Sequence, residues 1–304
     1  MTAFSRIALI GFGEVGQTLA PDLIKAGAHV SAFDLLFATP DSAPARAAKS
    51  IPVRKALSHE DAVNDAELVI VAVTAAADLD AAKQVAPHLA NDAFYLDVNS
   101  VSPGMKQACA AHVEASRGRY VEAAVMTPIN PKGVGSYMLL GGPHAAAFIE
   151  HARPLGFIGE VFSDRIGQAS ATKMCRSVVI KGMEALLSES MLAARAYGVE
   201  KTVLNSLSDL LPVGDWHRVA RYMISRALEH GQRRAEEMRE AAKTVAEVGV
   251  MPLMAMATAE RQDISAPHKA ALIHANDLGA MLDAIHHSIK QGGAAAPTIA
   301  REFP

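Results

Sequence analysis

Six short runs of branched and aromatic residues punctuate the first 160 or so positions: RIALIG from Arg6, HVSAFD from His29, LVIVAV from Leu68, AFYLDVNS from Ala93, RYVEAAVM from Arg119 and YMLLGG from Tyr137. Alanine-rich stretches with a helical period separate them. Strands alternating with helices in this way build a mostly parallel sheet covered on both faces. After Gly167 the strand pattern stops, and helices are predicted over 168–198, 200–211, 215–230, 232–248, 251–264 and 276–290. The punctuation fits: Gly198, a turn from Pro212 to Gly214, Asp215 as an N-cap before Trp216, Gly231 as a break, and Gly249 at a C-cap position. The pattern therefore predicts an α/β chain, a doubly wound sheet of the Rossmann type over 1–164 followed by an all-helical domain over 165–304.

Composition narrows the function classes. A chain of 304 residues is long for one core and comfortable for two. Half of it is hydrophobic, a fifth is charged and the formal net charge is −3, which offers nothing to a nucleic acid. The longest apolar run is far shorter than the roughly 18–20 residues of a membrane span, and the N-terminal apolar segment runs straight into a glycine motif rather than a cleavage site. A cytoplasmic protein without a membrane partner is expected. Cys109 and Cys175 form neither a disulfide framework nor a metal-ligand spacing, and the twelve histidines are scattered, so no metal is called for.

The first motif that carries chemistry is Gly11-Phe12-Gly13-Glu14-Val15-Gly16, directly after a strand and directly before a helix. In that context Gly11 permits a tight turn and Gly13 lets backbone approach a pyrophosphate. Gly16 brings helix close to strand, and the helix N-terminus supplies N–H donors. The second strand ends at Asp34, eighteen residues beyond Gly16, where a carboxylate accepts from both ribose hydroxyls of NAD. A 2′-phosphate would be repelled there, and Leu35, Leu36 and Phe37 provide no arginine, so NAD is expected in preference to NADP.

The glycine loop, YLDVNSVSPG at 95–104, YVEAAVMTP with GVGSYMLLGG at 133–142, and GQASATKMCRS at 167–177 resemble, in that order, the β-hydroxyacid dehydrogenase family. That family includes 3-hydroxyisobutyrate, tartronate semialdehyde and 6-phosphogluconate dehydrogenases. HGQRRAEEM at 230–238 is most similar to its phosphogluconate dehydrogenase-like branch. The resemblance implies hydride transfer between NAD and a 3-hydroxy acid or the matching oxo acid or semialdehyde, with Lys173 as catalytic acid/base. It places Asn99 and Ser100 where the family has a Ser-Thr pair facing substrate and cofactor, and Met126-Thr127-Pro128 where the family has a Ser-Gly-Gly substrate loop. Proline lacks an amide donor and methionine adds bulk, so the smallest hydroxy acids fit poorly. Val73 and Thr74 are expected against the nicotinamide ribose. Ser177 and Arg176 replace two family asparagines, and Asn276 stands where a family lysine approaches the cofactor.

Lys173 also stands on physical grounds. Oxidising an alcohol requires a proton acceptor, and a lysine among Ala169, Ala171, Met174 and Val178 has apolar neighbours to favour its neutral form. An exposed lysine titrates near 10.4, so a base working near neutrality needs a depression of about three units, roughly 4 kcal/mol. The plainer alternative is a lysine whose stem packs while its ammonium reaches water. Asn99 and Ser100 equally suit a helix N-cap before Pro103. Ser177 lies one turn beyond Lys173 on the same face and is a candidate substrate ligand. His230, Arg233 (or Arg234) and Glu237 share a helical stripe, which is either an anion clamp for substrate or a solvated salt-bridge face. The apolar helix containing VVIKGMEALLSESMLAA is expected to make a homodimer interface. Two other outcomes stay open, a decarboxylating dehydrogenase and a non-catalytic NAD(H)-binding protein.

Overall fold

The computed structural model describes residues 3–210 and 214–291. The turn expected from Pro212 falls largely outside the described residues. The chain divides into two compact units, one of Met1–Cys175 with Lys243–Val250 and one of Arg176–Ala242 with Met251–Pro304.

The first unit is built on an eight-stranded sheet. Its strands are β1 (Arg6–Ile10), β2 (His29–Phe33), β3 (Arg54–Lys55), β4 (Leu68–Val71), β5 (Phe94–Asp97), β6 (Arg119–Val125), β7 (Met138–Gly141) and β8 (Gly159–Ser163), in the spatial order β3-β2-β1-β4-β5-β6-β7-β8. Neighbours are parallel except β6 and β7, which pair antiparallel. Strand order reverses between β1 and β4, and ligands of open α/β sheets bind outside the strand ends at that reversal. The helices of this unit are α1 (Glu14–Lys25), α2 (Ala43–Ser50), α3 (His59–Val63), α4 (Asp78–Val85), α5 (Pro103–Ala115) and α6 (Ala145–Ala152).

Both faces of the sheet are covered at its centre, so β1, β4 and β5 are apolar along most of their length. Ile7, Leu9, Leu68, Ile70 and Leu96 join one buried cluster with Leu19, Leu23 and Phe148. Ala8, Ile10, Val69, Val71 and Tyr95 join the other with Val113 and Tyr120. Two strands escape the sequence pattern. β3 is only two residues long, and β8 is an edge strand whose Glu160, Val161 and Phe162 are exposed, so neither carries a buried-face signature.

The long helix α7 (Gln168–Ala196) begins in the first unit and continues into the second. The second unit otherwise contains α8 (Glu200–Leu210), most of α9 (Trp216–Glu247), α10 (Leu253–Ser265) and α11 (Leu278–Gln291). Its core gathers Leu187, Met191, Leu204, Trp216, Ile224, Leu228, Met281 and Ile285. Asp215 caps α9 by accepting from Arg218 N at 2.9 Å, and Gly198 and Gly249 adopt the positive φ of helix ends. Gly231 does not break the helix. A Cβ there would sit 2.6 Å from the Gln262 carbonyl oxygen, so glycine serves the close approach of α10 to an unbroken α9. Among the described residues no helix is long and apolar enough to cross a membrane.

Candidate active site

The glycine loop joins β1 to α1 at the strand-order reversal. Gly11 has φ +93° and a Cβ would lie 2.3 Å from the Ala72 carbonyl oxygen, while a Cβ on Gly16 would lie 2.4 Å from the Gly11 carbonyl oxygen. Turn and packing exclude side chains at both. Gly13 differs, since a Cβ there meets nothing within 4 Å, and that is the open space a pyrophosphate needs. Gly13 is also the N-cap of α1 and brings no side chain to the first-turn amides. Glu14 is exposed and Val15 half-buried beside it, whereas the Phe12 ring is fully buried 5.7 Å from Phe37, so Phe12 offers a ligand only its backbone.

Asp34 follows β2. Its carboxylate accepts from Phe12 N at 2.7 Å and from Leu36 N at 2.8 Å, which fixes it against the glycine loop with lone pairs to spare for two hydroxyls. Loop and carboxylate together fit an NAD adenosine half. Val73 lies beside the same turn, because its Cγ1 would be 3.2 Å from a Cβ on Gly11. Thr74 is exposed at the start of the following 3₁₀ turn, Ala75–Ala77.

The loop after β5 rests on a buried ionic network that sequence reading missed. Lys106 on α5 is 1% exposed and Asp97 at the end of β5 is 0% exposed, with Nζ and Oδ1 2.8 Å apart. Asp97 also accepts from Tyr120 Oη at 2.7 Å and from Asn99 N at 2.9 Å, and Lys106 Nζ donates to the Asp97 carbonyl at 3.0 Å. Burial opposes the Lys106 ammonium, but the charges of Asp97 and Asp78 outweigh it and raise its pKa. Asn99 is buried and donates its amide to Asp78 Oδ1 at 2.7 Å, so the carboxamide expected to face substrate is held inward, while Ser100 stays half-exposed. Ser102, rather than Asn99 or Ser100, caps α5 by accepting from Met105 N at 3.3 Å. Asp78, Asp97 and Cys109 bring possible metal-ligand atoms within 4.8 Å of one another, and the Lys106 ammonium supplies positive charge to that same cluster.

Asp78 has a second oxygen, Oδ2, buried without a hydrogen-bond partner. Burial and then the Asp97 charge push its pKa up to about 8. The folded protein thus holds a proton on Asp78 that the unfolded chain releases near 3.8, so this group's contribution to stability falls as pH rises from about 4 to about 8. Asp78→Asn preserves the acceptor for Asn99 and cannot ionise. Its stability relative to wild type is expected to rise between pH 5 and pH 8, measured by urea unfolding at several pH values; a pH-independent difference would reject a protonated Asp78.

Met126 and Thr127 follow β6, both half-buried; Met126 N donates to the Tyr137 carbonyl at 2.9 Å and Thr127 Oγ1 accepts from Tyr137 N at 3.3 Å. Met126 packs on Ala124, Leu139 and Ala169, which brings the start of α7 against this loop. On that first stretch of α7, Ala169, Ser170 and Met174 are buried and Lys173 is half-buried. Thr172 and Cys175 on the flanks of Lys173 are exposed, and the lysine itself is covered only in part.

The helical unit places Ser177 in a buried polar seam with Lys181 and Glu184. Ser177 accepts from Lys181 Nζ at 3.2 Å, and Lys181 pairs with Glu237 at 2.5 Å. Arg234 pairs with the buried Glu184, which also accepts from Gln262 at 3.2 Å. Burial raises the Glu184 pKa and Arg234 opposes it. The stripe on α9 is therefore divided: Glu237 and Arg234 point at α7, Arg233 is exposed, and His230 sits 3.1 Å from Glu229. Burial and then Arg226 lower the His230 pKa, so it is not a reliable cation at neutral pH. Lys181 and Glu184 continue the spacing from Lys173 through Ser177, and that spacing was the signal available for finding them.

Residues 6–166, more than half of the chain, match the family model described as the NAD binding domain of 6-phosphogluconate dehydrogenase. The chain belongs to this family. Its N-terminal unit is thus an NAD-binding domain, in agreement with the open space at Gly13 and the carboxylate at Asp34. Residues 194–264 match a second model, a domain of unknown function (DUF1932).

Among solved structures, a conserved hypothetical protein from Sinorhizobium meliloti is 34% identical with a TM-score of 0.73, covering 92% of this chain and 97% of its own. A conserved protein described as structurally similar to 3-hydroxyacid dehydrogenases is 31% identical with a TM-score of 0.67, covering 90% and 99%. The NAD-dependent L-serine dehydrogenase of Pseudomonas aeruginosa is 26% identical over 69% of this chain and 71% of its own length. This family member is accordingly an oxidoreductase of the β-hydroxyacid dehydrogenase type.

Proposed function

We propose that this protein oxidises a 3-hydroxy acid with NAD, or reduces the matching oxo acid, and that Lys173 is its acid/base. The observation that carries the reading is that one compact unit contains both the dinucleotide cradle and the first turns of α7 with Lys173. Bound NAD supplies a hydride acceptor. The neutral amine of Lys173 takes the hydroxyl proton as the carbinol carbon loses hydride, and in the reverse direction the ammonium returns that proton to the developing alkoxide. Substrate seated over the half-buried lysine would complete its shielding from water.

Ser177 supports the same arrangement from the next turn of α7. Its oxygen accepts from Lys181 at 3.2 Å, and a hydroxyl that accepts can also donate, here to a substrate oxygen. That restores the donor which the family's asparagine would otherwise supply. Val179, Ile180 and Leu186 on α7 are exposed and apolar, which supports a homodimer built through the helical unit.

The test is NADH formation across a panel of 3-hydroxy acids. The panel starts from L-serine and 3-hydroxyisobutyrate, the substrates in the names of two relatives, and extends to branched, aromatic and sugar-derived acids. Turnover of at least one acid is expected, with NAD favoured over NADP about tenfold or more through Asp34. NADH binding without turnover of any acid would return the protein to a dinucleotide-binding role.

A further inference from the structure

Helix α7 starts on a residue that cannot cap it. Gly167 occupies the N-cap position with φ +106°, and a Cβ there would lie 3.2 Å from Pro103 Cβ, so no side chain is available at that point. The two amides that a local capping box would satisfy are those of the N-cap residue and of the third helical residue, here Gly167 and Ser170. Both donate to one carboxylate 45 or more residues earlier in the chain. Glu122 Oε2 accepts from Gly167 N, and Oε1 accepts from Ser170 N at 2.6 Å. Glu122 is fully buried in β6, and Gly141 on β7 makes room for it, since a Cβ on Gly141 would lie 3.1 Å from Glu122 Cδ. The anion rests against the positive end of the helix dipole and within the field of Lys106.

We infer that Glu122 is the positioning residue for Lys173: its carboxylate clamps the first turn of α7 to the nucleotide-binding sheet and so sets where the amine, one turn on, meets the substrate. The inference rests on the acid/base role proposed for Lys173. It adds that the lysine's placement is decided by β6 rather than by the helix that carries it. A first turn whose two capping amides depend on one carboxylate can lose its register without unfolding the sheet beneath. An anion one turn away also favours the ammonium over the amine.

The experiment uses the full chain with NAD bound and follows carbamylation of Lys173 by cyanate at pH 7, read by peptide mass spectrometry, with the exposed Lys25 and Lys49 as internal controls. In Glu122→Gln the anion is lost, and Lys173 is expected to react about threefold faster or more while the controls keep their rates. With a hydroxy acid that the enzyme turns over, the same variant is expected to lose kcat about tenfold or more with little change in KM for NAD, a split that general destabilisation does not produce. Should Glu122→Gln fail to bind NAD, Glu122→Asp carries the test. It keeps the charge but is one methylene short of both amides, so amide exchange over 168–176 accelerates while Lys173 keeps nearly its wild-type cyanate reactivity. Wild-type reactivity, exchange and kcat in both variants overturn the inference. If instead Lys173→Ala retains turnover, the acid/base reading fails, and amide exchange over 168–176 in Glu122→Asp still reports on the clamp.

Discussion

Lys173→Ala is expected to lower turnover of a hydroxy acid about a thousandfold, the middle of the range for a general acid/base, while NADH affinity stays within about threefold. The two effects separate because the cradle consists of the glycine loop and Asp34, held by bonds between Asp34 and the backbone at Phe12 and Leu36 that do not involve α7. Lys173→Arg sharpens the point. Arginine retains the charge and much of the stem, but its guanidinium does not give up a proton near neutral pH and therefore cannot accept one from the substrate. Both variants should be equally inactive if the lysine moves a proton. An active arginine variant would show that the site needs only a cation, and turnover within about tenfold of wild type in the alanine variant would move the proton transfer to another group.

The largest stability effect is expected from Lys106→Met, about 3–5 kcal/mol, the usual result of stranding one member of a buried ion pair. Lys106 and Asp97 are both sealed from solvent at 2.8 Å, and Asp78 lies in the same cluster with an oxygen that has no hydrogen-bond partner. Removing the ammonium leaves Asp97 uncompensated beneath the loop that carries Asn99 and Ser100. Lys106→Met combined with Asp97→Asn should recover part of the loss, because the asparagine oxygen can still accept from Asn99 N while its amide donates to the Tyr120 hydroxyl oxygen, without needing a counter-charge. Chemical unfolding followed by circular dichroism checks both. A single variant costing less than about 1 kcal/mol would mean that the network is worth no more than an exposed pair.

Where the chemistry is local in the chain, residues alone sufficed. The glycine loop needs its three glycines within six positions, and Asp34 follows from the length of one helix and one strand, so spacing predicts both. The central strands announced themselves because burial on two faces leaves no room for polar residues. The helix ends at Asp215, Gly198 and Gly249 were readable for the same local reason, a cap or a positive φ.

What escaped has a common cause. Gly231 looks like a break until the carbonyl of Gln262 is placed 2.6 Å from where its Cβ would be. Glu237 and Arg234 look like a solvated stripe until Lys181 and Glu184 arrive opposite them. Asn99 reads as a substrate ligand until Asp78 takes its amide. Each depends on a partner 21 or more positions away, and periodicity carries no information about which distant residue will stand opposite.

For this protein the sequence by itself determined the alternation that makes a parallel sheet, the dinucleotide loop with its acidic partner, and the lysine at the head of a long helix, since propensity, period and turn chemistry act over a few residues. Tertiary structure alone decided which carboxylate caps that helix, which ammonium neutralises Asp97, and that α7 belongs to the nucleotide-binding unit through Cys175. Buried charges need partners at bonding distance, and only the folded chain brings residues so far apart along the backbone within 3 Å of each other.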